Sequence, residues 1–432
     1  MSIVNQPNTP SPSKASSSFI KRGVAIVGSS GLVFGLGFTG AKSASANGDD
    51  DCFGRTVTAS NDPAANVLAI QDMLSTAGVV CLSGDFILDN IIVVGRDAHF
   101  YGIDNSTVQR DAPDQWVFIS EIDSNYESIW DITIEKLTIK NSGRAVEAQN
   151  VFVIDSTFSQ NTSGAIFAYG SVTVSNSTFI DNSSYNGGAI YAGSDVDESV
   201  HITNSTFQGN SATYEGGAIF ASAGEVYFST FVNNLAATPP DEPGDTPGNA
   251  IYKSGTENFT LAGNIFAGNS PFPQLGIGAL PTPFTDEGGN IFSTSAEPDI
   301  SGTYSPVFGA TLTSLFGTNS PVLANYAPNT NGTQTIALAP GSPALNAVPN
   351  LAPYNSINLD QRGQTRSFPA DAGAFEGFVN PTSTPSSTTP VVLAKTGNEK
   401  LFWSTLASVS LLVSGAVVVA VTSRIRRRTS NL

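Results

Sequence analysis

The side chains in this sequence best suited to do chemistry are the carboxylates of one acidic loop. Asp195, Asp197 and Glu198 fall within five residues of each other, between two copies of a repeat. Carboxylate oxygens at this spacing are ligands that suit Ca²⁺, so the three residues are weak candidates for a calcium site. A solvated charged loop is the alternative and is favoured for a short run of like charges. No other cofactor or metal site is expected.

Composition limits the classes of function that remain. The chain has 432 residues, with 19 Lys+Arg against 36 Asp+Glu and a formal net charge of −17. Nucleic acid is therefore not expected as a partner, because phosphate binding needs a basic surface. The sequence contains no His/Cys metal spacing, nucleophile elbow or phosphate-binding glycine loop. Few charges and many Gly, Ser, Thr and Asn residues favour short strands joined by turns.

An internal repeat would position the side chains of the middle of the chain. Residues 171–179 read SVTVSNSTF and residues 199–207 read SVHITNSTF, at an offset of 28. A weaker copy ends at Leu137, and later copies end at Phe231 and Phe266. A unit of short alternating strands cannot bury its apolar face alone, whereas stacked units bury it in parallel register. The sequence predicts an all-β parallel β-helix over 79–334, with about ten coils spanning roughly 50 Å.

Two residue types recur at fixed positions of this repeat. Each of five phenylalanines is followed three residues later by an asparagine: Asn161, Asn182, Asn210, Asn234 and Asn269. We expect the phenylalanines to stack inside the coils. We expect the asparagines at corners, where this residue tolerates left-handed geometry and can bond to its copy one coil away. Tyr185 and Tyr214 precede successive Gly-Gly pairs and should stack at another corner, as a cover rather than a sugar-binding pair.

Residues 47–78 are predicted to cover the first coil. The apolar spacing from Pro63 to Ala77 predicts a short amphipathic helix that would lie across the open end. Cys52 and Cys81 can form a disulfide outside the cell, which would fasten this end of the body. Two buried free thiols are the alternative.

The Phe-x-x-Asn and Gly-Gly-Ala-Ile elements resemble the repeats of a known group of surface proteins. These are the right-handed β-helix proteins of the pectin-lyase-like superfamily, including the polymorphic outer-membrane protein type. The resemblance covers 129–292 well and 63–128 loosely. It implies a single-stranded right-handed parallel β-helix.

Residues 335–377 resemble the terminal segment of the choice-of-anchor Q family, whose members attach β-helices to surfaces by varied anchors. The similar stretches begin at Gly341, at Asp360 and at Asp371, and Asn346 stands where the family usually has aspartate. We expect this segment to be the C-terminal cap. Within it, two arginines should pair with acidic side chains: Arg362 and Arg366 with Asp360, Asp371 or Glu376.

The superfamily includes polysaccharide lyases and hydrolases, whose catalytic side chains would have to lie at outward positions of successive coils. Hydrolysis needs two converging carboxyl groups. Lyase chemistry, as the resemblance implies it, needs a basic side chain beside acidic Ca²⁺ ligands. The outward positions beside the core valines are expected to be Asp131, Phe152, Thr173, His201 and Glu225. This set holds neither a carboxylate pair nor an Arg or Lys, so no catalytic residue is predicted and His201 is expected to be a surface histidine.

The N-terminal residues 1–46 have the organisation of a secretory signal peptide. Lys21 and Arg22 precede an apolar, Gly-interrupted run, which leads to the small residues Ala44-Ser45-Ala46. We expect cleavage after Ala46, which would place the body outside the cell. An uncleaved membrane anchor is the alternative, disfavoured because Gly and Ser dilute the apolar run.

The C-terminal residues predict a surface anchor. A Pro/Ser/Thr linker (378–392) precedes the motif Leu393-Ala394-Lys395-Thr396-Gly397, an uncharged span (401–422) and a basic tail (423–432). The span is long enough to cross a bilayer as a helix, with the arginines at its cytoplasmic end.

This order of motif, span and tail resembles the cell-wall sorting signal of Gram-positive surface proteins. Ala394 stands where the commonest pattern has proline, as in variants handled by sortases of high-GC Gram-positive bacteria. The resemblance implies that a sortase cuts between Thr396 and Gly397 and joins Thr396 to peptidoglycan. A C-terminal membrane anchor is the alternative.

The sequence thus predicts a secreted, wall-anchored or membrane-anchored rod at the cell surface. Its expected role is adhesion or another surface interaction without catalysis, with a glycan or host-matrix ligand. A polysaccharide lyase or glycoside hydrolase on the same scaffold is the main alternative, and an inert wall spacer is a third.

Overall fold

A computed structural model describes nine stretches of the chain: 52–122, 128–193, 198–237, 246–271, 273–278, 282–302, 304–326, 332–350 and 354–377. The chain divides into two units, residues 1–378 and 379–432, and every described residue belongs to the first. The predicted signal peptide, linker, sorting motif and C-terminal span all lie outside the described residues. Among the residues that are described, no helix is long and apolar enough to cross a membrane.

The described residues form mainly short strands. In chain order, the first fourteen are β1 (Thr56–Thr58), β2 (Val79–Leu88), β3 (Ile92–Val94), β4 (Ala98–Arg110), β5 (Phe118–Ser120), β6 (Ile132–Glu135), β7 (Thr138–Lys140), β8 (Val146–Ala148), β9 (Val151–Ile154), β10 (Thr157–Ser159), β11 (Ile166–Ala168), β12 (Val172–Ser175), β13 (Thr178–Ile180) and β14 (Ser183–Ser184). The others are β15 (Ile190–Ala192), β16 (Ser199–Thr203), β17 (Thr206–Gln208), β18 (Ser211–Ala212), β19 (Ile219–Ala221), β20 (Ala223–Tyr227), β21 (Thr230–Val232), β22 (Leu235–Ala236), β23 (Ile251–Lys253), β24 (Phe259–Ala262), β25 (Ile265–Ala267), β26 (Leu275–Ile277), β27 (Phe284–Asp286), β28 (Ile291–Phe292) and β29 (Ile300–Gly302). The helices are α1 (Pro63–Thr76) and α2 (Leu312–Phe316), with a 3₁₀ turn at Tyr354–Ser356.

These strands stack in three long parallel rows. Row 1 runs from β1 through the start of β2 and β4, then β6, β9, β12, β16, β20, β24, β27 and β29. Row 2 runs from the ends of β2 and β4 through β7, β10, β13, β17, β21, β25 and β28. Row 3 is the separate sheet of β3, β5, β8, β11, β15, β19, β23 and β26. Every pairing between these strands is parallel, as in Val172↔Val200 of β12 and β16, so the predicted fold class, an all-β parallel β-helix, is confirmed.

The core of the coils is a column of phenylalanines contributed by row 2. Phe158, Phe179, Phe207 and Phe231 are fully buried, and the column continues through Phe266 and Phe292. Ring centroids of Phe158 and Phe179 lie 5.1 Å apart, and those of Phe179 and Phe207 lie 4.8 Å apart, with nearly parallel planes. This spacing is that of one parallel strand from the next, so each ring covers the one before it.

The predicted asparagine ladder is present. The Nδ2 atom of Asn182 donates to Oδ1 of Asn210 at 2.9 Å, and Nδ2 of Asn210 donates to Oδ1 of Asn234 at 3.0 Å. The backbone N–H of each donates to the same oxygen, and each amide also donates to a phenylalanine carbonyl of the preceding coil. The prediction that these asparagines have left-handed backbone geometry is wrong. Positive φ values occur one residue earlier, at Asp181 and Asn233 for example, because the chain turns there before the amide points inward.

A second ladder, absent from the sequence interpretation, follows the bend between rows 1 and 2. The backbone N–H of Ser177 donates to Oγ of Ser205 at 3.2 Å, and that of Ser205 donates to Oγ of Ser229 at 3.2 Å. Asparagine replaces serine in later coils, where Nδ2 of Asn264 donates to Oδ1 of Asn290 at 3.0 Å. Buried polar groups at both bends are thereby paired from coil to coil, as burial requires.

The register of the first repeat copy differs from the prediction. Ile139, not Leu137, pairs with Phe158, and Thr133, not Asp131, pairs with Phe152. The coil before Phe158 is shorter than the sequence offset assumed, and both Leu137 and Ile139 are apolar, so the apolar pattern alone did not distinguish the two frames. Asp131 lies instead opposite Asn150, whose Nδ2 donates to it at 2.8 Å.

A helix forms near the N-terminal end, over the stretch where the sequence predicts one. Helix α1 begins at Pro63, with the side chain of Asp62 accepting from two backbone N–H groups of its first turn, and it packs against β2. Cys52 and Cys81 form a disulfide in the structure, packed against Tyr101.

The C-terminal segment is not an end cap, which corrects the expectation for 335–377. We call residues 332–350 and 354–377 the flanking segment. Its Gln361 accepts from Oγ1 of Thr206 at 2.6 Å and donates to Oγ1 of Thr178 at 2.8 Å, while the backbone N–H of Ala374 donates to Thr230 at 3.0 Å. The flanking segment therefore lies along the side of several coils, against the outward positions of row 2.

The burial of those outward positions shows which coils the flanking segment covers. Thr157 in β10 is half-buried, whereas Thr178, Thr206 and Thr230 in the next three coils are buried. Further along, the outward row becomes apolar and joins a second core with Val348, Ala370 and Ala372 of the flanking segment. Burial of these outward threonines and aliphatic side chains stabilises the flanking segment in its place along the side of the coils.

Two buried ion pairs hold the flanking segment together. Arg362 contacts Asp360 at 2.6 Å, and Arg366 contacts Glu376 at 3.2 Å, as pairings within the predicted set. Arg366 also donates to Oδ1 of Asn204 on the coils at 3.0 Å. At the departure position, the backbone N–H of Asn346 donates to Oδ1 of Asp371 at 2.7 Å.

Candidate functional site

A cleft of about 330 Å³ opens on the side of the rod near its N-terminal coils. It is lined by Asn90, Ile91, Arg110, Asp114, Gln115 and Trp116. The end of β4 supplies Arg110, and the loop between β4 and β5 supplies Trp116, whose side chain is 36% exposed. An aromatic ring beside amide, carboxylate and guanidinium groups makes a site that can both stack on and hydrogen-bond to a ligand.

Arg110 is the charged group at the base of this cleft. Its side chain is 3% exposed, and its NH1 atom donates to the backbone carbonyl of Trp116 at 2.7 Å. Burial lowers the pKa of Arg110, against the opposing effect of the carboxylates of Asp111, Asp89 and Asp114. Its Nε atom is buried without a hydrogen-bond partner. The guanidinium of Arg110 thus holds the loop that carries Trp116, and three aspartates surround the guanidinium with negative charge.

The loop between β4 and β5 is held from the next coils as well. Gly143 donates its backbone N–H to the carbonyl of Gln115 at 2.7 Å, and Oγ1 of Thr162 donates to the carbonyl of Pro113 at 3.0 Å. A Cβ atom at Gly143 would overlap the carbonyl oxygen of Asp114. Position 143 therefore needs glycine for the loop to approach this closely, and the cleft is preformed.

A column of aromatic rings begins at the cleft and follows the outward side of row 3. Arg144 lies between Trp116 and Phe167, with its guanidinium carbon 4.9 Å and 4.3 Å from their ring centroids. The rings of Phe167 and Tyr191 are stacked 4.7 Å apart, and the stack continues to Phe220 and Tyr252. Stacked rings occupy each other's faces, so the column stiffens the coils and supports Trp116.

Sequence reasoning missed both the cleft and this column. The rings of the column sit two positions after the alanine of a Gly-Ala pair, or of Asn249-Ala250 in the last case, and that spacing was a usable signal. Trp116 belongs to an irregular loop outside the repeat, and nothing in the spacing pointed to it.

Both histidines of the chain lie in the outward positions of row 1, each beside a glutamate. His99 Nε2 lies 3.1 Å from Glu135 Oε2, next to Lys136, which donates from Nζ to the hydroxyl of Tyr101 at 2.8 Å. Two strands of row 1, β9 and β12, separate these side chains from the second pair. The second pair contains His201, which is half-exposed and was predicted to be a surface residue.

The second pair joins His201 to a glutamate of the next strand of row 1. His201 Nδ1 lies 3.7 Å from Glu225 Oε2, and this contact, with burial opposing it, lowers the pKa of Glu225. Burial, followed by the charges of Glu225 and Asp286, raises the pKa of Glu287. A carboxylate missed by the sequence interpretation thus lies close enough to Glu225 to sense its charge. It was missed because Glu287 follows the end of β27 and does not occupy the compared position.

The calcium candidates are only partly visible. Asp195 and Asp197 lie outside the described residues. The backbone carbonyl of Glu198 accepts from Oγ of Ser222. Over the described ranges, no group of three or more His, Cys, Asp or Glu side chains could hold a metal ion. The calcium site stays a prediction.

Tyr185 and Tyr214 stack as predicted, with ring centroids 4.9 Å apart. Tyr185 is 62% exposed, so the pair forms a solvent-facing corner of the third, three-stranded sheet of β14, β18 and β22.

Residues 176–193 and 204–222 match the Chlamydia polymorphic membrane protein repeat. Each matched range begins at the left-handed bend before row 2 and continues through the next row 3 strand, which accounts for most of one coil. This similarity indicates a protein of the cell surface or outer membrane. No curated protein matches the chain.

Proposed function

We propose that this chain is a non-catalytic surface protein, a rigid rod that presents the Trp116 cleft for adhesion. The observation that carries this proposal is that the repeated side chains are buried, whereas the cleft is open to solvent. The repeated phenylalanines, serines and asparagines are buried in internal ladders, whereas the one cleft described above is preformed, solvent-open and outside the repeat. The similarity to a repeat of surface proteins supports the location.

The experiment for this role compares cells that display the full chain with cells that lack it. Binding to immobilised glycans and to extracellular-matrix proteins is measured for both. Adhesion predicts that displaying cells are retained on at least one surface without any change to that surface. Equal retention of both cell types on every surface would contradict adhesion and favour an inert spacer.

The finer proposal for attachment is covalent linkage to peptidoglycan by a sortase, through Thr396 of the motif Leu393–Gly397. It rests on the sequence order of motif, apolar span and basic tail, which resembles a sorting signal. Detergent should leave the protein on cells, and muramidase should release it. Release by detergent alone would favour a membrane anchor through 401–422.

A polysaccharide-active enzyme is the second candidate function. The favouring observation is that Glu225 and Glu287 lie on the same row 1 side of the rod, two coils apart, with pKa values shifted in opposite directions, as expected of a base and an acid in one site. Incubation of the full chain with neutral and acidic polysaccharides, with and without Ca²⁺, should release reducing or unsaturated sugar ends only for an enzyme. Loss of that release in Glu225→Gln, with retention in His99→Gln, would assign it to this pair.

A further inference from the structure

We propose that the Trp116 cleft binds an uncharged sugar, a neutral pyranose unit of a glycan. This proposal deepens the proposed adhesion function and rests on it for the biological context. It is argued from the shape of the cleft, its charges and the groups on its walls.

The indole of Trp116 supplies the apolar wall. Its side chain is 36% exposed, and Arg144 contacts the ring on the side of the aromatic column. The C–H face of a pyranose packs on an exposed indole because the electron-rich ring face attracts the weakly positive C–H groups. The support from Arg144, itself paired with Glu147, holds the ring in place before a ligand arrives.

The other walls supply hydrogen-bonding groups for hydroxyls. Asn90 and Gln115 each present an amide, and Asp114 presents a carboxylate. Oδ1 of Asn90 also accepts from the backbone N–H of Ile91 at 2.9 Å, and Nε2 of Gln115 lies 3.5 Å from Oδ1 of Asp114, which leaves each group further hydrogen-bonding capacity. All three side chains are exposed. A sugar hydroxyl both donates and accepts, so a mixed set of amides and a carboxylate suits it better than it suits an apolar ligand.

The charges exclude the other common classes of glycan. The positive charge of Arg110 is surrounded by Asp89, Asp111 and Asp114, which leaves an excess of negative charge at the cleft. Uronic-acid and sulfated sugars would be repelled by this excess, as they would by the net charge of −17 of the whole chain. A small cation would be repelled by the positive guanidinium of Arg110, which lines the cleft. A neutral sugar is repelled neither by the carboxylates nor by the guanidinium.

Calorimetric titration of the full-length chain tests this inference. The probes are a neutral β-linked glucose tetrasaccharide, a neutral mannose oligosaccharide, an oligogalacturonate of equal length and choline chloride. We expect saturable binding of a neutral oligosaccharide and at least tenfold weaker affinity in Trp116→Ala, since loss of one stacking contact and its aligned hydrogen bonds costs about this factor.

Two further variants separate binding from folding. Tyr185→Ala removes an exposed aromatic residue that does not line the cleft, and it should leave affinity unchanged. Gly143→Ala retains Trp116 but displaces the loop that carries it, so affinity should fall by a similar factor while thermal unfolding shows a folded rod.

Tighter binding of oligogalacturonate or choline than of both neutral sugars would overturn the inference, and so would the absence of neutral-sugar binding. Unchanged affinity in Trp116→Ala would place any sugar site elsewhere. In each of these cases, retention of displaying cells on a matrix would still support adhesion, so failure of the cleft and failure of the proposed function are distinguishable.

Discussion

Removal of one rung from the asparagine ladder should destabilise the protein strongly. Oδ1 of Asn210 accepts from the backbone N–H of Asn182 at 3.1 Å and from its Nδ2 at 2.9 Å. Nδ2 of Asn210 donates to Oδ1 of Asn234 and to the carbonyl of Phe179, each at 3.0 Å. Asn210→Ala leaves two donors of Asn182 buried without an acceptor. At about 1–3 kcal/mol for each orphaned group, the free energy of unfolding should fall by about 2–6 kcal/mol.

Urea unfolding followed by circular dichroism measures this loss through the midpoint, provided that the m value is unchanged. Asn210→Ser should lose less, because a hydroxyl can accept one of the two bonds, as Oγ of Ser205 accepts the backbone N–H of Ser177 in the second ladder. Asn61→Ala is the matched control: this asparagine is exposed, and its loss should change stability by less than about 0.5 kcal/mol. Equal stability of Asn210→Ala and Asn61→Ala would refute the reasoning that the ladder satisfies otherwise stranded buried groups.

Three other expectations follow from the structure. Joint replacement of Cys52 and Cys81 by serine opens a link across 29 residues and should lower the free energy of unfolding by about 3.6 kcal/mol on the chain-entropy estimate, measured by urea unfolding with and without reductant. Arg366→Leu leaves the buried carboxylate of its partner uncompensated, so we expect a loss of about 3–5 kcal/mol and early proteolysis within the flanking segment, and a protease pattern equal to wild type would contradict this. The contact with His201 lowers the pKa of Glu225, so its stabilisation is present above the ordinary glutamate pKa and is lost as the pH falls through the lowered folded value; His201→Ala should raise this pKa in a carboxyl ¹³C titration, and no change would exclude the contact.

The repeating part of the fold was predictable because its physics is local and periodic. Phe179 and Phe207 sit at one position of near-identical segments, and parallel stacking of those segments brings their rings together. The same argument predicted the bond between Asn182 and Asn210. It failed at Leu137, where an apolar residue two positions from the true partner satisfied the same pattern.

The lateral position of the flanking segment was not predictable from the repeat. A threonine in the outward position, such as Thr178, suits both water and a covering chain, and Gln361 reaches it across 183 residues of sequence. The Trp116 cleft was missed for a related reason. It is built by an irregular loop whose position depends on Gly143 in the next coil, and single-sequence patterns carry little information about such long-range contacts.

The lateral flanking segment also determines how a mechanical load would enter the rod. The described chain ends at Gly377, whose backbone N–H donates to Asp371, beside the coil that contains Thr230. A pull from the C-terminal side therefore reaches the rod on its flank and not at its tip. Force along the rod would load the contacts of the flanking segment in shear, where many bonds share the strain, instead of peeling the last coil open one strand at a time.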